Sequence, residues 1–290
     1  MSSLLVEFEK GEPSPFEKEP KLVGIYHWHE GLRAMHRHED RVELNFILGG
    51  NGTHVVDGEL CATRPGDMLI HNSYVLHDES LILKEQVNAW CIAVAGLKLP
   101  GMAENKLLPE GVHPQIPCQE IADKLGQLYP MVHYYAVRPE GYAVANQLAG
   151  AIVLMAYEAI QRGAVALTGE ENAMVKRILA YIDKQYAENI TLEEMAALVN
   201  TNEYHMAHVF KKITGYSIQQ YIMRRRIGRA QCFLVYTDKS LTDIAGKVGY
   251  DDSNYFSRTF KKIIGMSPRS YRQKWRESSV GSTPSDIYDE

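Results

Sequence analysis

Cysteine is scarce. Cys61, Cys91, Cys118 and Cys232 lie far apart and form no CxxC pair, which leaves a disulfide framework and a cysteine zinc site without support and predicts reduced thiols. Long apolar runs are also missing: nothing approaches the ~18 to 20 uninterrupted apolar residues that a membrane span requires. The opening MSSLLVEFEKGEPSPFEKEP is acidic and lacks the basic and apolar blocks of a secretion signal, so the expectation is a cytoplasmic chain with no membrane partner. There is no glycine-rich phosphate loop and no nucleophile-base motif, so a hydrolase or kinase has no support. What is present, 290 residues with 45% hydrophobic and 23% charged side chains, suits one large or two ordinary globular domains.

The net charge of -5 hides an asymmetry. Residues 172–276 hold 18 Lys and Arg against 9 Asp and Glu, net +9, and the other 185 residues hold 13 against 27, net -14. A basic module is joined to an acidic one. Clustered cations neutralise a polyanion that an acidic domain repels, so only the C-terminal part is expected to meet nucleic acid.

Between His36 and Ile92 the chain runs in short alternating stretches, VELNFIL from Val42, THVVDG from Thr53, GDMLI from Gly66 and VNAWCIAVAG from Val87, separated by turn signals. Many short strands at such spacing predict a β-barrel or sandwich. From Glu120 the period lengthens: Ile121, Leu125, Leu128 and Val132, then Val144, Leu148, Ile152, Met155 and Ala159, predict two amphipathic helices. The expected organisation is α+β with two domains. Residues 1–165 form a β-barrel with trailing helices, 166–171 a linker, 172–276 an all-α domain and 277–290 an acidic disordered tail.

The basic domain contains a repeat. VFKKITGYSIQQY from Val209 recurs as TFKKIIGMSPRSY from Thr259, and Leu192, Met195, Ala196 and Val199 match Leu241, Ile244, Ala245 and Val248. Each copy, at about 191–213 and 240–264, reads as helix, turn, helix, and the second has one extra turn residue. Asn200 and Gly249 share the turn slot where a residue tolerating φ > 0 is wanted. Between the copies, a stretch capped by Ser217 and running to Tyr236 predicts a helix of about 30 Å, close to the ~34 Å between major-groove faces one DNA turn apart.

At about 100° per residue, Met206, Phe210 and Ile213 face inward in the first copy, and Tyr204, His208 and Lys211 outward with Ala207 at the edge. In the second, Phe256, Phe260 and Ile263 face inward, and Asn254, Arg258 and Lys261 outward with Ser253 and Ser257 beside them. Asn pairs with adenine and Arg with guanine through two hydrogen bonds, so Asn254 and Arg258 are the sharpest base-reading candidates. Lys211, Lys212, Lys261 and Lys262 lie further along and suit phosphates.

Two such units joined by a long helix, each with FKKIxG followed by SxxxY and the second closing on GMSPRSYR, resemble the DNA-binding domain of the AraC/XylS transcription regulators. The resemblance covers roughly Ala173 to Trp275. It implies a sequence-specific regulator of double-stranded operator DNA, commonly an activator that works with RNA polymerase and commonly a dimer through helices like those at 120–135 and 142–162. Asn200 stands where the family usually has Gly, and Gly228 departs from its usual helix former.

In the acidic domain, His36 and His38 alternate onto one strand face, Glu43 follows, and His77 comes after GDMLI and a turn. This order is similar to the two cupin motifs, whose three histidines and one glutamate bind a divalent first-row metal; Zn, Fe, Mn, Ni and Cu all suit such donors. Asn72, Ser73 and Tyr74 replace the usual Pro and Gly before the last histidine. Sensory cupins of the resembled family use the barrel for a sugar or another small effector, and His27, Trp28, His29, Arg33 and Trp90 are further pocket candidates beside the four metal-type residues. The expected function is a non-enzymatic, effector-controlled DNA-binding regulator. The alternatives are a metal-ion sensor and a metal-dependent cupin enzyme fused to a DNA-binding domain.

Overall fold

A computed structural model describes residues 13–28, 33–79, 87–163 and 170–278. Among the described residues nine strands come first: β1 Lys21–Trp28, β2 Arg33–His36, β3 Val42–Gly49, β4 Gly52–Val56, β5 Glu59–Thr63, β6 Asp67–His71, β7 His77–Glu79, β8 Asn88–Ala95 and β9 Gln115–Pro117. They form a five-stranded sheet ordered β1-β8-β3-β6-β9 and a four-stranded sheet ordered β2-β7-β4-β5. The sheets face each other, with Val56 and Cys61 of the smaller packed on Leu69 of the larger.

Side-chain alternation gives each sheet two different faces. On β3, Val42, Leu44 and Phe46 point away from the smaller sheet into a core shared with two helices, α1 Ala122–Ala136 and α2 Tyr142–Gly163. Glu43 and Asn45 therefore point into the space between the sheets. Tyr129 of α1 stacks on Phe46 at 5.8 Å and donates its hydroxyl to the carbonyl of Leu44. By length and composition alone, α2 is long and apolar enough to cross a membrane. Here it is a packing helix: Ala145, Ala149, Ile152, Val153, Ala156 and Ile160 lie at helical spacing and fill the sheet's core, the isoleucines and valine contributing about 1.5–3 kcal/mol each.

The C-terminal half is helical: α3 Glu170–Gln185, α4 Leu192–Leu198, α5 Glu203–Thr214, α6 Ile218–Tyr236, α7 Leu241–Lys247, α8 Ser253–Ile264 and α9 Pro268–Ser278. Local chemistry sets the ends. Thr191 with Glu194, Ser217 with Gln220 and Ser240 with Asp243 form reciprocal capping boxes on α4, α6 and α7, each cap worth about 1 kcal/mol. Gly215 and Gly265, at φ 73° and 84°, close α5 and α8. Two corrections to the expected boundaries follow. Residues 170–171 belong to α3, because two acids in its first turn suit the helix dipole, and 277–278 belong to α9. The rest of the expected linker and tail, 166–169 and 279–290, lies outside the described residues.

Candidate functional site

The two helix pairs α4–α5 and α7–α8 have the same build. Their turns hold Asn200 at φ 55° and Gly249 at φ 86°, both left-handed. On α5 the buried stripe is Met206, Val209 and Phe210, leaving Tyr204, His208, Lys211 and Lys212 exposed and Ala207 half-buried. On α8 it is Phe256, Thr259 and Phe260, leaving Asn254, Arg258, Lys261 and Lys262 exposed and Ser253 and Ser257 half-buried. Tyr204, 84% exposed, and Asn254 occupy the second position of their helices, the end from which a major-groove helix reaches base edges.

Two features of this surface are not legible in a helical projection. Lys212 Nζ is 2.7 Å from Glu171 Oε2 at the start of α3, so one expected phosphate contact already has an acidic partner. Arg258 also lines a cleft of about 690 Å³ between the two units, together with Gln219, Arg226, Tyr250 and Tyr255. Arg226 ties the units together: its guanidinium donates to the carbonyls of Tyr186, Glu188 and Gly249 at 2.6, 2.9 and 2.7 Å.

The second candidate site lies between the sheets. Antiparallel pairing of β2 with β7 sets His36 opposite His77, and their rings are 4.3 Å apart. His38 Nε2 is 3.2 Å from Glu43 Oε1, and His77 Nε2 is 3.5 Å from Glu43 Oε2. One potential ligand atom from each of His36, His38, Glu43 and His77 lies within 4.8 Å of the others. The turn without Pro and Gly delivers His77 by other means. Tyr74 takes φ 65° and donates its N–H to the His38 carbonyl, while the Asn72 side chain bonds to the backbone of Leu107 and Leu108.

Donor type and orientation fit a divalent transition metal. Three imidazoles and a carboxylate suit such an ion, and His77 Nδ1 faces the Val75 carbonyl at 3.0 Å, which directs Nε2 toward the cluster. Burial works against the charge of Glu43, yet His38, His71 and His77 hold its carboxyl well below the usual range. The carboxylate therefore favours its ionised form.

Two further histidines line the same space. His71, opposite Glu43 in the β3–β6 register, stacks on His77 at 3.9 Å and meets the Asn45 side chain at 3.2 Å. Burial, then the neighbouring His77, lowers its pKa to about 3. His54 on β4 is equally buried, and burial lowers it to about 4. Alternation along GDMLIH and THVV could have flagged both, because His71 shares parity with Leu69 and His54 with Val56.

Trp90 and His27 are not brought to this space. Trp90 shares its strand face with Ile92 and Val94 and packs in the helix-side core, where it stacks on His27 at 4.0 Å and approaches His133 of α1. It lies on the opposite face of the larger sheet from Glu43. For Trp28 and Arg33 only the backbone, in β1 and β2, is described, and His29 lies outside the described residues.

Residues 195–274 match a family model described as a helix-turn-helix domain. Over 280 residues the chain is 25% identical to the HTH-type transcriptional activator RhaS of Enterobacter sp. strain 638, covering 92% of this chain and 95% of that protein. It is 23% identical over 266 residues to the uncharacterized HTH-type transcriptional regulator YdiP of Escherichia coli strain K12, covering 90% and 85%. Over 103 residues it is 39% identical to the bifunctional transcriptional activator/DNA repair enzyme AdaA of Bacillus subtilis strain 168, covering 36% of this chain and 49% of that protein.

Proposed function

Because the chain belongs to the AraC/XylS family of transcription regulators, we propose that it is a cytoplasmic, non-enzymatic activator that binds operator DNA through α5 and α8 and is controlled by a ligand held between its two sheets. The observation that carries this reading is the repeated pair of helix-turn-helix units, each with an exposed polar and basic face on its second helix. The base readers are Asn254 and Arg258, with Tyr204, Ala207, His208, Ser253 and Ser257 beside them. Lys211, Lys212, Lys261 and Lys262 hold phosphates, and RNA polymerase is the partner that activation requires.

The N-terminal half is read as a cupin-like barrel. A homodimer is supported by Met131, Tyr134 and Val137 of α1 and its end and Val144 of α2, which are 43–65% exposed. Two chains sharing that face would occupy repeated half-sites and gain effective concentration on DNA. The ligand is either a small organic effector, such as a sugar, or a metal ion. The specific observation favouring the ion is the convergence of His36, His38, Glu43 and His77 within 4.8 Å. Bound there, a divalent ion would supply fixed positive charge that draws the strands bearing its ligands together.

Selection of duplexes from a random pool tests the DNA reading: a two-part motif recovered by the full chain and lost on Asn254→Ala with Arg258→Ala supports it, and unselective binding overturns it. Native mass spectrometry of protein purified without a metal resin tests the ligand. A metal mass that disappears in His36→Ala favours the ion sensor; a metal-free protein with an organic adduct favours the effector.

A further inference from the structure

The four-stranded sheet is shared by two interiors. Along three of its strands, neighbouring residues face opposite sides: His36 faces the space between the sheets and Met35 the other side of β2, and His54 and Val55 do the same on β4. On β7, His77 belongs to the histidine cluster, and Asp78 turns away from it and is completely buried. On that outer side lie α3, α5 and α6. Met35 and Val55 belong to one core with Val175, Ile178, Met206, Phe210 and Tyr221, which is the core of the first helix-turn-helix unit.

Polar contacts cross the same boundary. Asp78 accepts from the Val55 N–H at 2.8 Å through Oδ1, and from Arg224 and the Tyr216 hydroxyl, both at 3.5 Å, through Oδ2. Asp183 of α3 pairs with Arg225 of α6 and with Arg37, next to His36. The second unit differs. Its core of Ile244, Phe256, Phe260 and Tyr271 is completed by α6 and, among the described residues, takes in none from the sheets; α8 meets the smaller sheet where it comes alongside β2.

We infer that the smaller sheet transmits the state of the histidine chamber to the first helix-turn-helix unit in preference to the second, with Asp78 as the positioning residue through which His77 acts on Arg224 and Tyr216. Occupancy of the chamber shifts β7 and β2, because His77 and His36 sit on those strands. Asp78 beside His77 is a contact of α6, and Arg37 between His36 and His38 is a contact of α3, so the shift enters the core that these helices share with α5 across one residue of backbone. Among the described residues the second unit shares no core with the sheet, and it follows through α6, Arg226 and the approach of α8 to β2. Ligand control therefore falls first on the half-site read by α5, and the half-site read by α8 changes least. This rests on the reading of the chamber as the sensing site.

Amide hydrogen exchange of the full chain tests the inference without knowledge of the ligand. Glu43→Gln, nearly isosteric inside the chamber, should change exchange in α3, α5 and the first half of α6 by about three-fold or more, leave α8 within about 1.5-fold, and lose its effect on α3, α5 and α6 in an Asp78→Asn background. Changes confined to the strands, equal changes in α5 and α8, or an undiminished effect beside Asp78→Asn would overturn it. If Asp78→Asn alone undocks the unit, Arg224→Gln provides the second background. Adding Zn²⁺ to the unsubstituted protein separates the two readings: silence in β2, β3 and β7 counts against metal sensing, and the Glu43→Gln comparison still decides the coupling.

Discussion

The ion pair between Lys212 and Glu171 makes the two equivalent lysine positions unequal, and salt dependence should reveal it. Each phosphate neutralised by a lysine adds about 0.9 to the slope of log affinity against log salt, so one contact is worth roughly 3.5-fold in affinity between about 50 and 200 mM salt. Among the described residues no carboxylate lies within ion-pair distance of Lys261, whereas Lys212 Nζ is 2.7 Å from Glu171 Oε2. The hydrogen bond from Lys212 also holds the Glu171 carboxyl below its ordinary pKa, so the pair is made at neutral pH. To reach a phosphate, Lys212 must leave that partner, and its net contribution shrinks. Lys261→Ala should therefore lower the slope by nearly the full ~0.9, Lys212→Ala by clearly less, and Glu171→Gln should raise it by releasing Lys212. Fluorescence anisotropy with one selected duplex at three salt concentrations measures all three. Equal slope losses for the two lysine variants, or an unchanged slope for Glu171→Gln, would refute the argument.

Three other outcomes follow from single positions. Arg258→Ala should relax specificity at one operator position, with a loss of about 1–3 kcal/mol on the cognate duplex and little on a scrambled one; equal loss on both would mean that Arg258 holds only backbone. At the equivalent turns, Gly249→Ala should cost roughly 2–4 kcal/mol, because φ is 86° and the new Cβ would stand 2.3 Å from the Ala187 carbonyl oxygen. Asn200→Gly should change stability by less than about 1 kcal/mol, since Asn already tolerates its φ of 55°, and urea midpoints report both. Burial lowers His54 from 6.5 to about 4, so below pH 6.5 the unfolded chain takes up a proton that the folded chain refuses. Stability should fall with acidification from about pH 6.5 toward 4, with about 2 kcal/mol from this residue lost by about pH 5. Unfolding at about pH 7 and pH 5 measures that loss, and His54→Asn should reduce it; an identical pH dependence in the variant would refute the assignment.

The helical half was readable from the chain because its determinants are local. The capping pairs Thr191 with Glu194 and Ser240 with Asp243 span three residues, the repeat aligns Asn200 with Gly249, and both turns take the left-handed backbone that the slot demands. An inward stripe at helical spacing needs no knowledge of its neighbours to be recognised. The grouping of His36, His38, Glu43 and His77, whose potential ligand atoms lie within 4.8 Å of one another, was legible for a similar reason, since they follow a motif order along the chain.

Tertiary structure decided what those donors meet. His71 and His54 join the chamber, and Trp90 does not, because register and parity choose which face of a strand is inside, and a shift of one residue reverses the choice. Asp78 and Arg224 are 146 residues apart, and nothing in the local chemistry of SYVLHDES marks that aspartate as a partner for the long helix. Periodicity, caps and turns along the chain are enough to mark a repeated helix-turn-helix domain beside a histidine-bearing β domain. That one of the two units shares a core with the sheet is a matter of pairing across the fold, which is set by burial over the whole chain and not by any segment of it.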